Sequence, residues 1–298
     1  YTADRLKDLH EAVQSVMNQT YKPDEIIIAV DHNPELFKKL KSELPPSIKV
    51  VLNTNTLGLS ETRNVGIRAS QGDIIAFIDD DAVAQKDWLE NLLKHYSNPS
   101  VVAVGGRSIP VWNNGRRPDW FPEELYWIIG CTYKGLPLLN KNEIRNVPGC
   151  NMAFRKEIFK EVGFFKSEMG GIKETPRGGE EADLCLRIRC KLPDALILYE
   201  SNAVIYHRGP SWRLNLKYIV RRSFNEGFYK AKVQKIHGRN SRGALSTEST
   251  YLRYLLFKSV PQRVRHFYKV SYLFQTGAIM VSILATGLGY LTGKIEKG

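Results

Sequence analysis

The sequence has little cysteine, no paired Cys-x-x-Cys and no low-complexity tract. Its four cysteines, at 131, 150, 185 and 190, are too few for a disulfide scaffold and lack the spacing of a zinc site. Buried, reduced thiols are expected instead. With 14 Pro and 23 Gly in 298 residues, collagen-like and disordered classes are excluded. No signal peptide is visible, since the N-terminus is neither basic nor followed by an apolar run. There is also no methionine at residue 1: from Tyr1 the chain moves straight into a helical spacing of Leu6, Leu9, Val13, Val16 and Met17, so a preceding segment is expected.

Charge is unevenly spread. The net charge is +12, yet residues 201–298 hold 17 Lys and Arg against 3 acids, while the first 200 residues are close to neutral. Such a basic tail suggests nucleic acid or an anionic membrane. From Val270 to Gly293 no residue is charged, which favours the membrane and argues against nucleic acid. That length can cross a bilayer, and Arg263, Arg265 and Lys269 before it would put the preceding domain in the cytoplasm. Glycines and polar residues dilute the run, so a buried or interfacial hairpin is the alternative. Gly289-x-x-x-Gly293 matches the close-packing helix pattern and admits a homodimer. Upstream, Leu214 to Lys235 interleaves apolar and basic residues as an interfacial amphipathic helix does.

In the first half, apolar strands alternate with amphipathic helices. Strands are expected at Glu25–Asp31, Lys49–Leu52, Asp73–Ile78 and Val101–Gly105, with helices at Glu35–Leu44, from Ser60, and at Asp87–Tyr96. This order implies an α/β fold with a mostly parallel sheet flanked by helices, and ligands bind beyond the carboxyl ends of such strands. Asp31 and Asp79-Asp80-Asp81 fall there. Three acids in a row are either a solvated turn or helix cap, or a site for Mg²⁺ or Mn²⁺, which take oxygen ligands and bridge to phosphates.

The stretch Glu61-Thr62-Arg63-Asn64-Val65-Gly66-Ile67, followed by Gly72 to Ile78 and Asp79-Asp80-Asp81, resembles the family 2 glycosyltransferases, whose fold is GT-A. Val147 to Arg155 resembles the segment before their acceptor-side helix. Gly179-Glu180-Glu181-Ala182-Asp183-Leu184-Cys185-Leu186-Arg187 is similar to their G-E-D-x-D-L-x-x-R signature. Within the family, Gly105-Gly106-Arg107 and residues 120–132 most resemble the archaeal dolichyl-phosphate-linked glucuronosyltransferases of N-glycosylation.

The resemblance implies roles. Asp31 would hold the base of the donor nucleotide, Asp79 its ribose, and Asp80 would lie beside them. Thr2, at the end of a first strand missing upstream, and Arg63 would contact the nucleotide. Asp81 would ligate the metal. Glu181 stands where the family has its catalytic base, with Glu180 as the other candidate because the usual Asp is a Glu here. His207 after an apolar strand would ligate the metal or donate to the leaving diphosphate, with Arg208 as helper. Asp183 and Arg187 read as an i,i+4 helix pair. Residues 167–178 form a glycine-rich basic loop that would close over the donor. Trp112, Trp120, Tyr126 and Trp127 either stack on sugar or lipid or pack a core.

The expected arrangement is a GT-A catalytic domain over 1–210, interfacial helices over 211–269 and a membrane-inserting segment over 270–293. The expected activity is inverting, metal-dependent transfer from a nucleotide sugar, UDP-linked and with UDP-glucuronic acid as a candidate, to a polyprenyl or dolichyl lipid-linked acceptor. The rival classes are a nucleotidyltransferase acting on a sugar phosphate and an inactive nucleotide-binding membrane protein.

Overall fold

The computed structural model describes residues 5–112, 115–138, 142–167, 179–209, 211–237 and 246–296. Thr2 and positions 168–178 of the basic loop lie outside them. The chain divides into two compact units, 1–108 with 140–207, and 109–139 with 208–298. Segment 109–139, which a contiguous division assigns to the catalytic part, thus clusters with the C-terminal helices.

In the first unit, α1 (Leu6–Met17) is followed by β1 (Ile26–Asp31), α2 (Pro34–Glu43), β2 (Ile48–Asn53) and α3 (Leu59–Ala69). Asn33 caps α2 through Leu36 N at 3.0 Å, with Pro34 in the first turn. β1 and β2 pair in parallel from Ile26↔Ile48 to Asp31↔Asn53. Leu9, Val13, Val30, Leu36 and Leu40 pack around them.

Next come β3 (Ile74–Ile78), β4 (Ala82–Ala84), α4 (Trp88–Leu93), β5 (Val101–Val111), β6 (Asn151–Arg155), α5 (Ile158–Val162), α6 (Glu180–Lys191) and β7 (Leu196–Arg208). Their strands form a second sheet in the order β3-β6-β5-β7-β4. The α/β architecture is as expected, but the β3–β6, β5–β6 and β4–β7 ladders are antiparallel. Among the described residues, parallel pairing is seen in β1–β2. An apolar run reports burial on both faces, which is indifferent to strand direction. Ile67, Val147, Met152, Phe154, Leu184 and Ile188 form one core of this unit.

In the second unit, α7 (Leu216–His237), α8 (Ser246–Tyr254), α9 (Val260–Val264) and α10 (Val270–Ile295) accompany residues 115–138. Phe121, Leu125, Ile128, Ile219 and Ile279 make its core, with Trp112, Trp120, Tyr126 and Trp127 packed against it. The aromatic residues therefore serve packing here. Glu124 is fully buried and bound by Arg263 at 2.7 and 3.0 Å and by Ser259 at 2.9 Å. Arg263 also donates to Gln275 of α10 at 3.0 Å. Burial works against the Glu124 charge, but Arg263 outweighs it and holds the carboxyl below its usual range.

α10 is, among the described residues, the helix long and apolar enough to cross a membrane. It lies beside α7 through small residues. Ser223 and Ser282 share a buried hydrogen bond of 2.9 Å. Gly227 faces the Thr286 carbonyl, Gly289 faces the Phe224 carbonyl, and Gly293 faces Phe228 and Ala231. The Gly289-x-x-x-Gly293 pair is thus used within the chain. A β-carbon at Gly289 would collide with the Phe224 backbone, whereas one at Gly287 would meet nothing within 4 Å. Gly289→Ala is expected to destabilise the fold by about 1–3 kcal/mol through overpacking. Gly287→Ala is expected to be neutral or stabilising by up to ~1 kcal/mol. Thermal unfolding of both variants in one detergent checks this; equal melting temperatures contradict the packing.

Candidate active site

The acidic turn begins where β3 ends. Ala82 N donates to Asp79 O at 3.1 Å, closing a tight turn with Asp80 and Asp81 at its corner. β4 then leaves at Ala82 and pairs antiparallel with β7 in the register Ala82↔His207. This register brings a histidine from far along the chain beside Asp81. His207 is buried, and its Nε2 lies 3.2 Å from Asp81 Oδ1 and 3.8 Å from Asp79 Oδ2. One ligand atom from each of Asp79, Asp81 and His207 lies within 4.8 Å of the others. Two carboxylates and an imidazole at such separations suit a dication with bonds of ~2.1 Å. The oxygen-rich set admits Mg²⁺ and Mn²⁺, and the imidazole nitrogen favours Mn²⁺.

Arg5 is a member of this cluster that the sequence did not announce. Its Nη1 lies 3.0 Å from Asp81 Oδ2 and 3.4 Å from Asp80 Oδ1. No local spacing joins residues so far apart in the chain; the only signal is a basic residue at the very start of α1. Burial, followed by the charge on Asp81, pushes Asp80 up to about 6, against the pull of Arg5. Asp80 Oδ2 is buried without a hydrogen-bond partner.

Arg63 of α3 is 8% exposed. Nη1 lies 2.9 Å from Glu180 Oε1, and Nη2 lies 2.8 Å from Gly149 O and 3.6 Å from Asp79 Oδ1. Its face covers the Phe165 ring at 5.7 Å. Burial opposes its charge, and Glu180, Asp79 and Glu181 together outweigh that, raising its pKa. Arg63 thus ties the acidic turn to the start of α6.

At that start Gly179 takes φ +106°, a conformation glycine adopts freely, and turns the chain into the helix. Glu180 and Glu181 occupy the first turn, where the helix N-terminus favours negative charge. Glu180 is buried and Glu181 half-buried. Each has an Oε2 with no hydrogen-bond partner. A β-carbon on Gly149 would stand 3.3 Å from Glu181 Oε1, so the glycine leaves this space open. Burial, then the Glu181 charge, push Glu180 up to about 8, with Arg63 pulling the other way.

Asp31 ends β1. It accepts from Asn53 Nδ2 at 2.8 Å and from Gly58 N at 3.1 Å, and lies 3.0 Å from His32 Nδ1. Gly58 opens α3 with φ +133°. Buried Asn53 also reaches Thr62 Oγ1 at 3.3 Å, next to Arg63. Asn53 is a second residue the sequence did not single out. Arg208 ends β7 and opens the second unit. Asp183 is fully buried and pairs with Arg187 at 2.8 Å, the expected i,i+4 contact, and with Lys166 at 3.3 Å. Arg187 further donates to the Gly163 and Phe164 carbonyls at 3.0 and 2.8 Å. All four cysteines are free, Cys190 being exposed and the others buried.

Residues 2–163 match the sequence model of glycosyl transferase family 2. The chain is 34% identical to a glucosyl-dolichyl phosphate glucuronosyltransferase of Haloferax volcanii, over 98% of this chain and 93% of that protein. It is 28% identical to the succinoglycan biosynthesis protein ExoM of Rhizobium meliloti, over 78% and 74% of the two chains. Among solved structures, a mannosyltransferase from Pyrobaculum calidifontis, in complex with GDP-Man and Mn²⁺, superposes with a TM-score of 0.61 at 17% identity, over 97% of this chain and 85% of that one. Fold, site and sequence therefore agree: the chain belongs to glycosyl transferase family 2, with the GT-A fold, and is a glycosyltransferase.

Proposed function

We propose that this glycosyltransferase moves a sugar, with inversion, from a UDP-linked donor to a hydroxyl of a dolichyl-phosphate-linked sugar, and that UDP-glucuronic acid is the donor. The observation that carries the mechanism is one buried guanidinium, Arg63, shared by the acidic turn and the carboxyl pair. The transferred sugar and the acceptor follow the Haloferax volcanii relative, a glucosyl-dolichyl phosphate glucuronosyltransferase, which this chain matches over nearly its whole length.

Asp31 recognises the base of the nucleotide, held in place by Asn53 and the Gly58 amide. Asp79, Asp81 and His207 hold Mn²⁺ or Mg²⁺. When bound, the ion supplies positive charge against the diphosphate that leaves. Glu180 is committed to Arg63 at 2.9 Å, while Glu181 keeps an oxygen with no hydrogen-bond partner, so Glu181 is the base. It takes the proton of the acceptor hydroxyl as that oxygen bonds to the anomeric carbon and the bond to the nucleotide diphosphate breaks. A lipid phosphate would arrive already ionised and need no base, so the carboxyl pair favours a sugar hydroxyl as acceptor. The enzyme is membrane-associated, through the long apolar α10 and the cationic residues around it.

Asp81→Ala is expected to abolish transfer and Mn²⁺ binding by calorimetry while leaving the circular dichroism spectrum unchanged. Undiminished nucleotide release in excess chelator would contradict the metal's role. Glu181→Gln is expected to lose about 10²–10⁴-fold in turnover, and Glu180→Gln much less, because an amide resembles a protonated carboxyl. Glu180→Gln also has a pH signature. A carboxyl raised from 4.5 to about 8 stabilises the fold fully below 4.5, and that contribution is lost as pH rises through about 8. The melting temperature of Glu180→Gln relative to the parent is therefore expected to climb between about pH 5 and about pH 9; parallel curves would refute the burial argument.

A further inference from the structure

The face of α10 turned away from α7 is exposed and apolar along the whole helix. Leu273, Met280, Leu284, Leu288 and Leu291 recur on it at seven-, four-, four- and three-residue spacing, with Phe274 beside Leu273, each between 37% and 64% exposed. The opposite face, with Ala278, Ser282, Ala285, Gly289 and Gly293, is buried. A stripe this long on one side of a helix needs a cover, and the other side already has one.

We infer that α7 and α10 lie together in the surface of an anionic lipid leaflet, with the α10 stripe dipping into the acyl boundary, and that α10 does not cross the bilayer. Three observations carry this. First, the helices run side by side in the same direction, from Ser223 against Ser282 to the Lys235 ammonium on Glu296 O at 2.7 Å. The carbonyl-to-glycine contacts leave no gap between the two backbones, so whatever depth α10 reaches, α7 shares.

Second, α7 is charged along that shared length. Glu226 pairs with Arg222 at 3.1 Å and with Lys230 at 3.3 Å, and Lys232 pairs with Glu296 at 3.1 Å. A crossing α10 would drag these groups into hydrocarbon, where ionised side chains are expensive and rare. At the interface they stay among headgroups. Third, the surroundings are cationic, with 17 Lys and Arg against 3 acids after residue 200, which suits anionic lipid. Just before α10, Phe267 and Tyr268 are 74% and 67% exposed between Arg265 and Lys269, the pairing of ring and cation that settles at headgroup level.

This deepens the membrane association proposed above, and its test reads no sugar transfer, so the two can fail separately. Single cysteines, Lys269→Cys, Leu284→Cys and Lys294→Cys, are placed in a full-length Cys190→Ser chain expressed in a bacterial host. Spheroplasts and inside-out vesicles are then treated with an impermeant maleimide. The expected result is that 269 and 294 are both unlabelled in spheroplasts and both labelled in inverted vesicles. Position 284 is expected to label at least tenfold more slowly in the vesicles than after detergent. Labelling of 294 in spheroplasts, with protection in inverted vesicles, would mean a crossing helix and overturn the inference. So would a chain recovered in the soluble fraction as a dimer with 284 protected, which would make a second copy the cover. A soluble monomer with 284 freely labelled would overturn it as well.

Discussion

A guanidinium removed from water is tolerated only where acids and carbonyls replace the lost solvent. Arg63 meets Glu180, Asp79, the Gly149 carbonyl and the face of Phe165. These groups come from α6, the end of β3, the segment before β6 and the turn after α5, so satisfying one charge fixes four pieces of chain against one another. The acidic turn and the Glu180–Glu181 pair owe their spacing to that charge. Replacing it with lysine would keep the sign but lose the planar fork that reaches three acceptors at once.

The same crowding explains the perturbed acids. Asp80 and Glu180 each have a second carboxyl beside them and little water, and each holds its proton well above the ordinary range. Arg5 and Arg63 meet part of the charge. Asp79, Asp81 and His207 stand together there as a donor set of the kind a dication takes.

Much of this was legible in the sequence. A buried apolar run that stops at three acids marks a strand end with an acidic turn, and Gly179-Glu180-Glu181 marks a helix beginning with its acids in the first turn. Both depend on local pattern. What was not legible depends on contacts between distant parts of the chain. Arg5 reaches Asp81 through the fold, and Arg63, expected beside the nucleotide, meets Glu180, Gly149 and Asp79 from segments far from α3 along the chain. The antiparallel ladders escaped because an apolar run carries no arrow. Gly289 and Gly293 announced a close helix contact, but their partner is α7, whose basic residues disguise the small-residue edge formed by Ser223, Gly227 and Ala231.

His207 is delivered by strand pairing and not by a loop. In a pleated strand, neighbouring side chains alternate between faces, so counting along β7 is as important as chemistry. One residue gained or lost within β7 upstream of its pairing with Ala82 would present a different side chain to Asp81, however well the sheet itself survived. A surface turn can lengthen without that consequence, whereas the thirteen positions of β7 set which side chain stands beside Asp81.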